Sequence, residues 1–301
     1  MSLPVIHHPE YSFALPQQHP FPMQKFTALR ENLARFGQKI QWHKPDEIGF
    51  RHLARAHSPS YLNALLAGAL DDKAQRRSGF PWSAELVRRV RLETGGTLLA
   101  ARIALAEGLA LNAAGGTHHA HVDYASGYCL INDLAVAAAA LLSEGQVKQI
   151  LIIDLDVHQG DGTARIFADD PRVFTLSVHA ARNFPANKAQ SDCDVALADG
   201  VDDATYLKTI ADVVPPILSR LSPDLVIYDA GVDVHTDDRL GHFALTDAGI
   251  LGRDRWVIQA VRQARIPLVG VIGGGYDRDT SQLAARHALL FEAALTLDTA
   301  N

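Results

Sequence analysis

The residues best suited to chemistry lie in a short run, Asp154-Leu155-Asp156-Val157-His158, that directly follows an apolar segment. In an extended chain, residues two apart point to the same side, so Asp156 and His158 can approach one ion. A mixed carboxylate and imidazole set suits zinc or another first-row divalent metal. Asp233 follows a different apolar segment and is the expected third ligand. Three protein ligands leave a position for water, which is typical of catalytic metal sites.

A pair of adjacent histidines, His118 and His119, follows the turn Gly115-Gly116. Taken alone, such a pair is more often part of a surface loop than an acid–base device. Asp154 and Asp161, however, supply two carboxylates that could each fix the tautomer of one imidazole and raise its basicity. A buried histidine paired with a carboxylate can transfer protons.

A third cluster, Gly273-Gly274-Gly275-Tyr276, also follows an apolar run. It could be a flexible turn beside a packed tyrosine. The glycines, Gly274 among them, would equally let the backbone approach a substrate, while Tyr276 offers a hydroxyl that could donate to an oxyanion.

The three polar clusters can form one site only if strands of a sheet bring them together. Five short apolar runs predict buried parallel strands: Leu109 to Ala113, Ile150 to Ile153, Val173 to Val178, Leu225 to Tyr228 and Pro267 to Ile272. Each run is followed by a polar cluster, and open parallel sheets build ligand sites at the carboxyl ends of their strands. One shared site is therefore expected.

Helical patterns lie between the strands. The clearest is Leu134 to Ser143, with Asn132 or Asp133 as N-cap and Gly145 as the stop. Further helices are predicted for Gln24 to Phe36, Pro59 to Ala67, Ser83 to Leu105, Asp203 to Arg220 with an interruption at Pro215 and Pro216, Thr246 to Ala264, and Thr280 to Thr296. The alternation predicts an α/β fold. We expect a single domain, residues 1–301, with three layers and a central, mostly parallel sheet flanked by helices. The first hundred residues are expected to wrap the sheet and supply one wall of the site.

Composition excludes several classes of protein. The chain has 301 residues, of which 48% are hydrophobic, and 34 acidic against 28 basic residues give a formal net charge of −6. This charge gives no general attraction to nucleic acid. No signal-peptide pattern and no run of 18 apolar residues occurs, so neither secretion nor a membrane partner is expected. The two cysteines fit a reducing compartment, which predicts a cytoplasmic protein.

With these clusters in this order, the sequence resembles the zinc-dependent histone deacetylase family, particularly its class IV-like bacterial members, within the arginase/deacetylase fold. The resemblance covers nearly the whole chain. Its motifs are His19 to Met23 with Lys25-Phe26, Ala56 to Pro59 with Tyr61-Leu62, Gly115 to His119, Gly127 to Cys129 with Asn132-Asp133, Asp154 to Gly162, Gly231 to Asp233, and Gly273 to Tyr276.

The resemblance implies a role for each matching position. The implied zinc ligands are Asp156, His158 and Asp233, the tandem histidines are His118 and His119, and the transition-state tyrosine is Tyr276. Asp154 is the implied partner of His118, and Asp161 that of His119. Gly127, Tyr128 and Phe184 are implied to line an acyl channel. Asp154, Asp156 and Ser177 match positions that hold a structural monovalent cation, K⁺, in relatives.

The implied reaction is hydrolysis of an amide in which zinc polarises the carbonyl and its bound water. His119 takes the proton and returns it to the leaving amine, His118 acts as an electrostatic partner, and Tyr276 stabilises the oxyanion. The expected substrate is an acylated amine such as acyl-lysine.

Two other functions remain open at this stage. The first is a ureohydrolase-like enzyme with two manganese ions, which would want further carboxylates near Asp156 and Asp233; the second is an acyl-binding protein without turnover. The latter would be expected to lack a histidine or tyrosine, whereas His118, His119 and Tyr276 are all present. The acyl length, the identity of the amine and the oligomeric state are left open by the sequence.

Overall fold

The computed structural model describes residues 2–297, so Met1 and residues 298–301 of the predicted domain lie outside the described residues. Eight strands form one sheet: β1 (Leu3–Ile6), β2 (Ile40–His43), β3 (Leu109–Asn112), β4 (Ile150–Asp154), β5 (Val173–Ala180), β6 (Cys193–Leu197), β7 (Leu225–Asp229) and β8 (Leu268–Val271). Their order is β2-β1-β3-β8-β7-β4-β5-β6, and every neighbouring pair is parallel. The predicted, mostly parallel sheet is confirmed and is parallel throughout.

All five predicted strands are confirmed, with ends that differ by one or two residues. The structure adds β1, β2 and β6, which the sequence does not reveal. β1 and β2 have four residues each and lie among loops rich in proline and histidine, and β6 is an edge strand whose residues alternate between half-buried and exposed. The loop residues around β1 and β2, and the partial exposure of β6, leave no continuous apolar run that would predict a strand.

The described residues form ten α-helices, and several of them flank the sheet: α1 (Lys25–Leu33), α2 (Phe50–Leu53), α3 (Pro59–Ala67), α4 (Asp72–Ser78), α5 (Ala84–Glu107), α6 (Asp133–Ser143), α7 (Asp161–Ile166), α8 (Asp203–Leu221), α9 (Asp247–Gln263) and α10 (Thr280–Leu297). The seven predicted helices are all present. Asn132 is the N-cap of α6, because its side chain accepts a hydrogen bond from the backbone of Ala135.

The predicted interruption of α8 is wrong, since the helix runs through Pro215 and Pro216. Both prolines are exposed, whereas Val214, Ile217 and Leu218 on the other side are buried. Packing of this buried side maintains the helix although the prolines lack backbone N–H donors.

The first hundred residues supply part of a cavity wall, as expected, and they also enter the sheet itself. They contribute β1 and β2, which form one edge of the sheet, and α5, which packs against β3 and α6. Among residues 2–297, no helix combines the length and apolar character needed to cross a membrane.

The sheet has one consequence for the site. Because all strands are parallel, their carboxyl ends meet at one edge. Asp154 at the end of β4 lies beside Ser177 of β5 on one side and Asp229 of β7 on the other. The polar clusters that follow the central strands are thereby brought together.

Candidate active site

Two carboxylates and one imidazole form a buried cluster beyond the ends of β4 and β7. The ligand atoms of Asp156, His158 and Asp233 all lie within 4.8 Å of one another. Nδ1 of His158 is 3.0 Å from Oδ1 of Asp156 and 3.1 Å from Oδ2 of Asp233. Burial and the neighbouring charge of Asp156 raise the pKa of Asp233 to about 7. A divalent cation would offset this repulsion, so the donor set fits the metal that the sequence predicts.

Backbone amides fix the orientation of both carboxylates. Val157 donates its N–H to Oδ1 of Asp233 at 2.9 Å, and Gly274 donates to Oδ2 of Asp156 at 2.9 Å. A Cβ at Gly274 would lie 2.4 Å from Oδ2 of Asp233, which leaves no room for a side chain. The structure therefore places Gly274, predicted to contact substrate, directly against the carboxylates of Asp156 and Asp233.

The adjacent histidines each face their own carboxylate. Nδ1 of His118 donates to Oδ2 of Asp154, and Nδ1 of His119 donates to Oδ1 of Asp161, both at 2.7 Å. The loop that carries them is held by Asp133, which accepts the backbone N–H of Thr117 at 2.8 Å.

The two imidazoles differ in their affinity for a proton although their rings lie only 4.1 Å apart. Burial and the neighbouring His118 lower the pKa of His119 to about 3. Burial also disfavours charge on His118, but the carboxylate of Asp154 outweighs it and raises the pKa of His118 well above its ordinary value. These opposite pKa directions favour a neutral ring at His119 and a protonated ring at His118.

Tyr276, which follows β8, faces the same space. Its ring centroid lies 5.9 Å from that of Tyr128 and 6.2 Å from that of Phe21. The backbone N–H of Tyr276 donates to Oδ2 of Asp238 at 2.6 Å, which fixes the turn. Burial raises the pKa of Tyr276 well above its ordinary value, so the hydroxyl keeps its proton and remains a donor.

A cavity of about 470 Å³ joins these groups. It is lined by ten of the residues singled out from the sequence: His118, His119, Gly127, Tyr128, Asp156, His158, Phe184, Asp233, Gly274 and Tyr276. Asp154 and Asp161 are hydrogen-bonded to His118 and His119 and are not in the cavity lining. Ser177, which was matched to a cation position, lies in β5 beside Asp154 and is also outside the lining.

Two residues of the cavity lining, Phe184 and Gly127, lie close to the His119 ring. The Phe184 ring meets the His119 ring edge-on, with centroids 4.7 Å apart. A Cβ added to Gly127, whose φ is +54°, would come within 2.6 Å of the His119 ring. Gly127 thus lets the chain pass close to the imidazole at a conformation that favours glycine.

Sequence reasoning missed a charged group on the inner wall. Arg89 and Glu93 of α5 form a buried ion pair at 2.8 Å, and Glu93 also accepts the backbone N–H of Gly115 at 3.1 Å. Their spacing of four residues on one helix was the available signal. The Nζ of Lys25, which lies in a motif noted above, donates to the carbonyl oxygen of Gly273 at 3.2 Å.

Asp229 is a further residue to which the sequence analysis assigned no role. It is fully buried, and neither carboxylate oxygen has a hydrogen-bond partner among the described residues. With His118 and Asp154 it forms a second group of closely spaced potential ligands. Its position directly after the apolar run Leu225 to Tyr228 was the signal in the sequence.

Comparison with known proteins identifies relatives of this chain. The family model of the histone deacetylase domain matches residues 19–291. An uncharacterized protein of Picosynechococcus sp. is 48% identical over 296 residues, which cover 98% of this chain and 99% of that protein. Histone deacetylase 2 of Arabidopsis thaliana is 29% identical over 89% of this chain and 72% of its own length.

Two further comparisons extend the similarity. Histone deacetylase 1 of Homo sapiens is 29% identical over 94% of this chain, which spans 62% of the human protein. The crystal structure of the HDA15 HD domain matches with a TM-score of 0.81 at 24% identity, and the match covers 99% of this chain and 91% of that domain. The latter likeness supports the fold.

Proposed function

This chain belongs to the histone deacetylase family, and from that premise we propose that it is a zinc-dependent hydrolase that removes an acetyl or longer acyl group from an amine such as acyl-lysine. The observation that carries the proposal is the cavity in which the Asp156, His158 and Asp233 cluster adjoins the His118–His119 pair and Tyr276. We also propose that residues 1–301 form one catalytic domain and that it acts in the cytoplasm.

Asp156, His158 and Asp233 would hold the zinc ion. When bound, the ion supplies a Lewis acid for the acyl carbonyl and lowers the pKa of the attacking water. His158 must then present a neutral imidazole, and Gly274 and Val157 keep the two carboxylates aimed at the ion through the backbone bonds described above.

The chain's own residues move the proton. His119 accepts it from the attacking water at Nε2, since its Nδ1 is committed to Asp161. The same atom then returns the proton to the leaving amine. His118, held as a cation by Asp154, lies beside the reacting centre and stabilises the negative charge that develops there.

The aromatic side chains of the cavity lining orient the substrate. Tyr128 and Phe184 line the cavity and exclude water along the acyl-amine chain. The hydroxyl of Tyr276 donates to the oxyanion of the tetrahedral intermediate, since its proton is retained at neutral pH.

One observation favours a binuclear manganese enzyme as the second candidate, namely the group formed by His118, Asp154 and Asp229. A second ion there would require Nδ1 of His118, which instead lies 2.7 Å from Oδ2 of Asp154 as a hydrogen-bond donor. We therefore prefer the mononuclear enzyme.

The test is a panel of acyl-lysine peptides and acylated polyamines, incubated with the zinc-loaded protein while released carboxylate is measured. We expect release from at least one class, and none from a His119→Ala control that still binds zinc. Urea release from guanidino compounds by protein loaded with two manganese ions, without any deacylation, would support the second candidate.

A further inference from the structure

A third imidazole reaches the carboxylate that orients His119. Asp161 accepts a hydrogen bond from Nδ1 of His119 on Oδ1 at 2.7 Å, and Nε2 of His121 lies 3.0 Å from its Oδ2. Asp161 therefore lies between two histidines, one in the cavity lining and one outside it. The proposed reaction as described above gives His121 no role.

His121 is held rigidly by its surroundings. Its side chain is buried, and its ring stacks on Tyr124 with centroids 4.1 Å apart and an angle of 22° between the planes. Its backbone N–H donates to the carbonyl of Tyr124 at 2.9 Å, and its carbonyl accepts a hydrogen bond from Nδ1 of His57 at 2.8 Å. Because both the backbone and the ring of His121 are held in place, its imidazole can hold the carboxylate that it contacts.

Tyr124 is in turn held by two cations. The guanidinium of Arg77 lies 4.6 Å from the Tyr124 ring centroid, and Nη1 of Arg165 donates to the Tyr124 hydroxyl at 3.3 Å. The imidazole of His121 thus has a carboxylate on one side and an aromatic ring, fixed by arginines, against its face.

The contact with Asp161 determines the tautomer of His121. An ionised carboxylate can only accept, so Nε2 of His121 must carry a hydrogen. Burial works against the charged carboxyl, but the hydrogen bonds from His119 and His121 outweigh it and hold the pKa of Asp161 below its usual range. His121 therefore donates to an anion and shares its charge with His119.

We propose that His121 is a positioning residue for the His119–Asp161 pair, whose Nε2–H locks the carboxylate of Asp161 in the plane that accepts from His119. This inference rests on the proposed function for the role of His119. Without the second donor, the carboxylate of Asp161 could rotate away from His119, or it could attract the Nδ1 proton of His119 more strongly. Either change would move Nε2 of His119 from its reacting position.

The first test uses the unaltered, full-length, zinc-loaded protein. Tautomer-specific ¹⁵N NMR of the imidazoles should show His121 protonated at Nε2, and the Nδ1 proton of His119 at low field because of its bond to a carboxylate. A His121 ring with an unprotonated Nε2 would overturn the proposal. This readout needs no turnover, so it stands even if the proposed reaction fails.

The second test separates the hydrogen bond from the ring. His121→Phe keeps a ring to stack on Tyr124 but removes the donor, whereas His121→Gln places an amide N–H donor at a similar reach. We expect kcat to fall about three- to tenfold in His121→Phe, as for loss of one hydrogen bond, with KM within about twofold. His121→Gln should recover kcat to within about twofold of the parent, and the low-field His119 proton should shift only in His121→Phe.

The matched control is His52→Phe, which removes another His–carboxylate contact, with Glu144 at 3.1 Å, outside the cavity. Its kcat should equal that of the parent. Equal losses in His121→Phe and His121→Gln would reduce His121 to a packing residue, and parent activity in both would remove it from the mechanism. If His121→Phe does not fold, the kcat of His121→Gln and the tautomer of His121 in the parent still test the proposed role of His121.

Discussion

Replacing Tyr276 by phenylalanine removes one oxygen atom from the cavity and little else. The hydroxyl of Tyr276 makes no hydrogen bond within residues 2–297, and its ring contacts with Phe21 and Tyr128 can persist in the variant. The free energy of unfolding should therefore change by less than about 1 kcal/mol. The turn is fixed through the backbone bond to Asp238, which the substitution leaves intact.

The effect on turnover should be much larger. A hydroxyl that donates only to the developing oxyanion contributes to the transition state and little to substrate binding. Loss of one such donor lowers kcat by about 10² to 10³, equivalent to about 2.7–4 kcal/mol of transition-state stabilisation. The expected change in KM is much smaller.

The assay compares kcat, KM, zinc content and thermal midpoint of the parent and Tyr276→Phe, with an acyl-lysine peptide as substrate. Tyr61→Phe is the matched control, because its hydroxyl donates to the carbonyl of Leu130 at 2.7 Å outside the cavity. The control should lose about 1 kcal/mol of stability and keep its kcat. Tyr276→Phe turning over at the parent rate with zinc bound would make Tyr276 a packing residue and refute the assignment.

Three further outcomes are expected. Asp156→Ala should lose most of its zinc and its activity, measured by metal analysis of the purified protein, and a zinc content equal to that of the parent would contradict the ligand assignment. His119→Ala should suppress kcat more than His118→Ala while both retain zinc, and the reverse order would exchange their roles. Arg253→Met should lower the free energy of unfolding by about 3–5 kcal/mol in denaturant titration. The reason is that the buried carboxylate of Asp254, 2.9 Å from the arginine, loses its charge partner. A change below about 1 kcal/mol would show that the ion pair is dispensable.

The central strands and the groups that follow them could be predicted because each signal is local. Asp156 and His158 are two residues apart in a segment that must be extended, and apolar runs such as Ile150 to Ile153 are recognisable without knowledge of the rest of the chain. The parallel arrangement then brings distant clusters to one edge, so the approach of Asp233 follows from topology.

What could not be predicted depends on contacts between distant parts of the chain. Arg253 on α9 is fully buried and donates to the carbonyls of Leu155, Ala230 and Gly231, next to the residues proposed as ligands. Its neighbouring Asp254 would suggest only an exposed pair on a helix. The continuity of α8 through Pro215 is a similar case, since packing of the opposite face decides it.

The position of β8 in the sheet determines at what stage of synthesis the residues of the candidate active site can come together. β8 is the last strand along residues 2–297, yet it lies between β3 and β7. It joins the group β2-β1-β3 to the group β7-β4-β5-β6. A nascent chain that ends before Leu268 would present two partial sheets with unpaired edges, and its histidines would lack Gly274 and Tyr276 opposite them. Assembly of the centre therefore has to wait until β8 has been synthesised. A protein split in the loop between α9 and β8 should accordingly be inert as its larger fragment, and should regain function only when the short carboxyl-terminal piece inserts its strand into the gap.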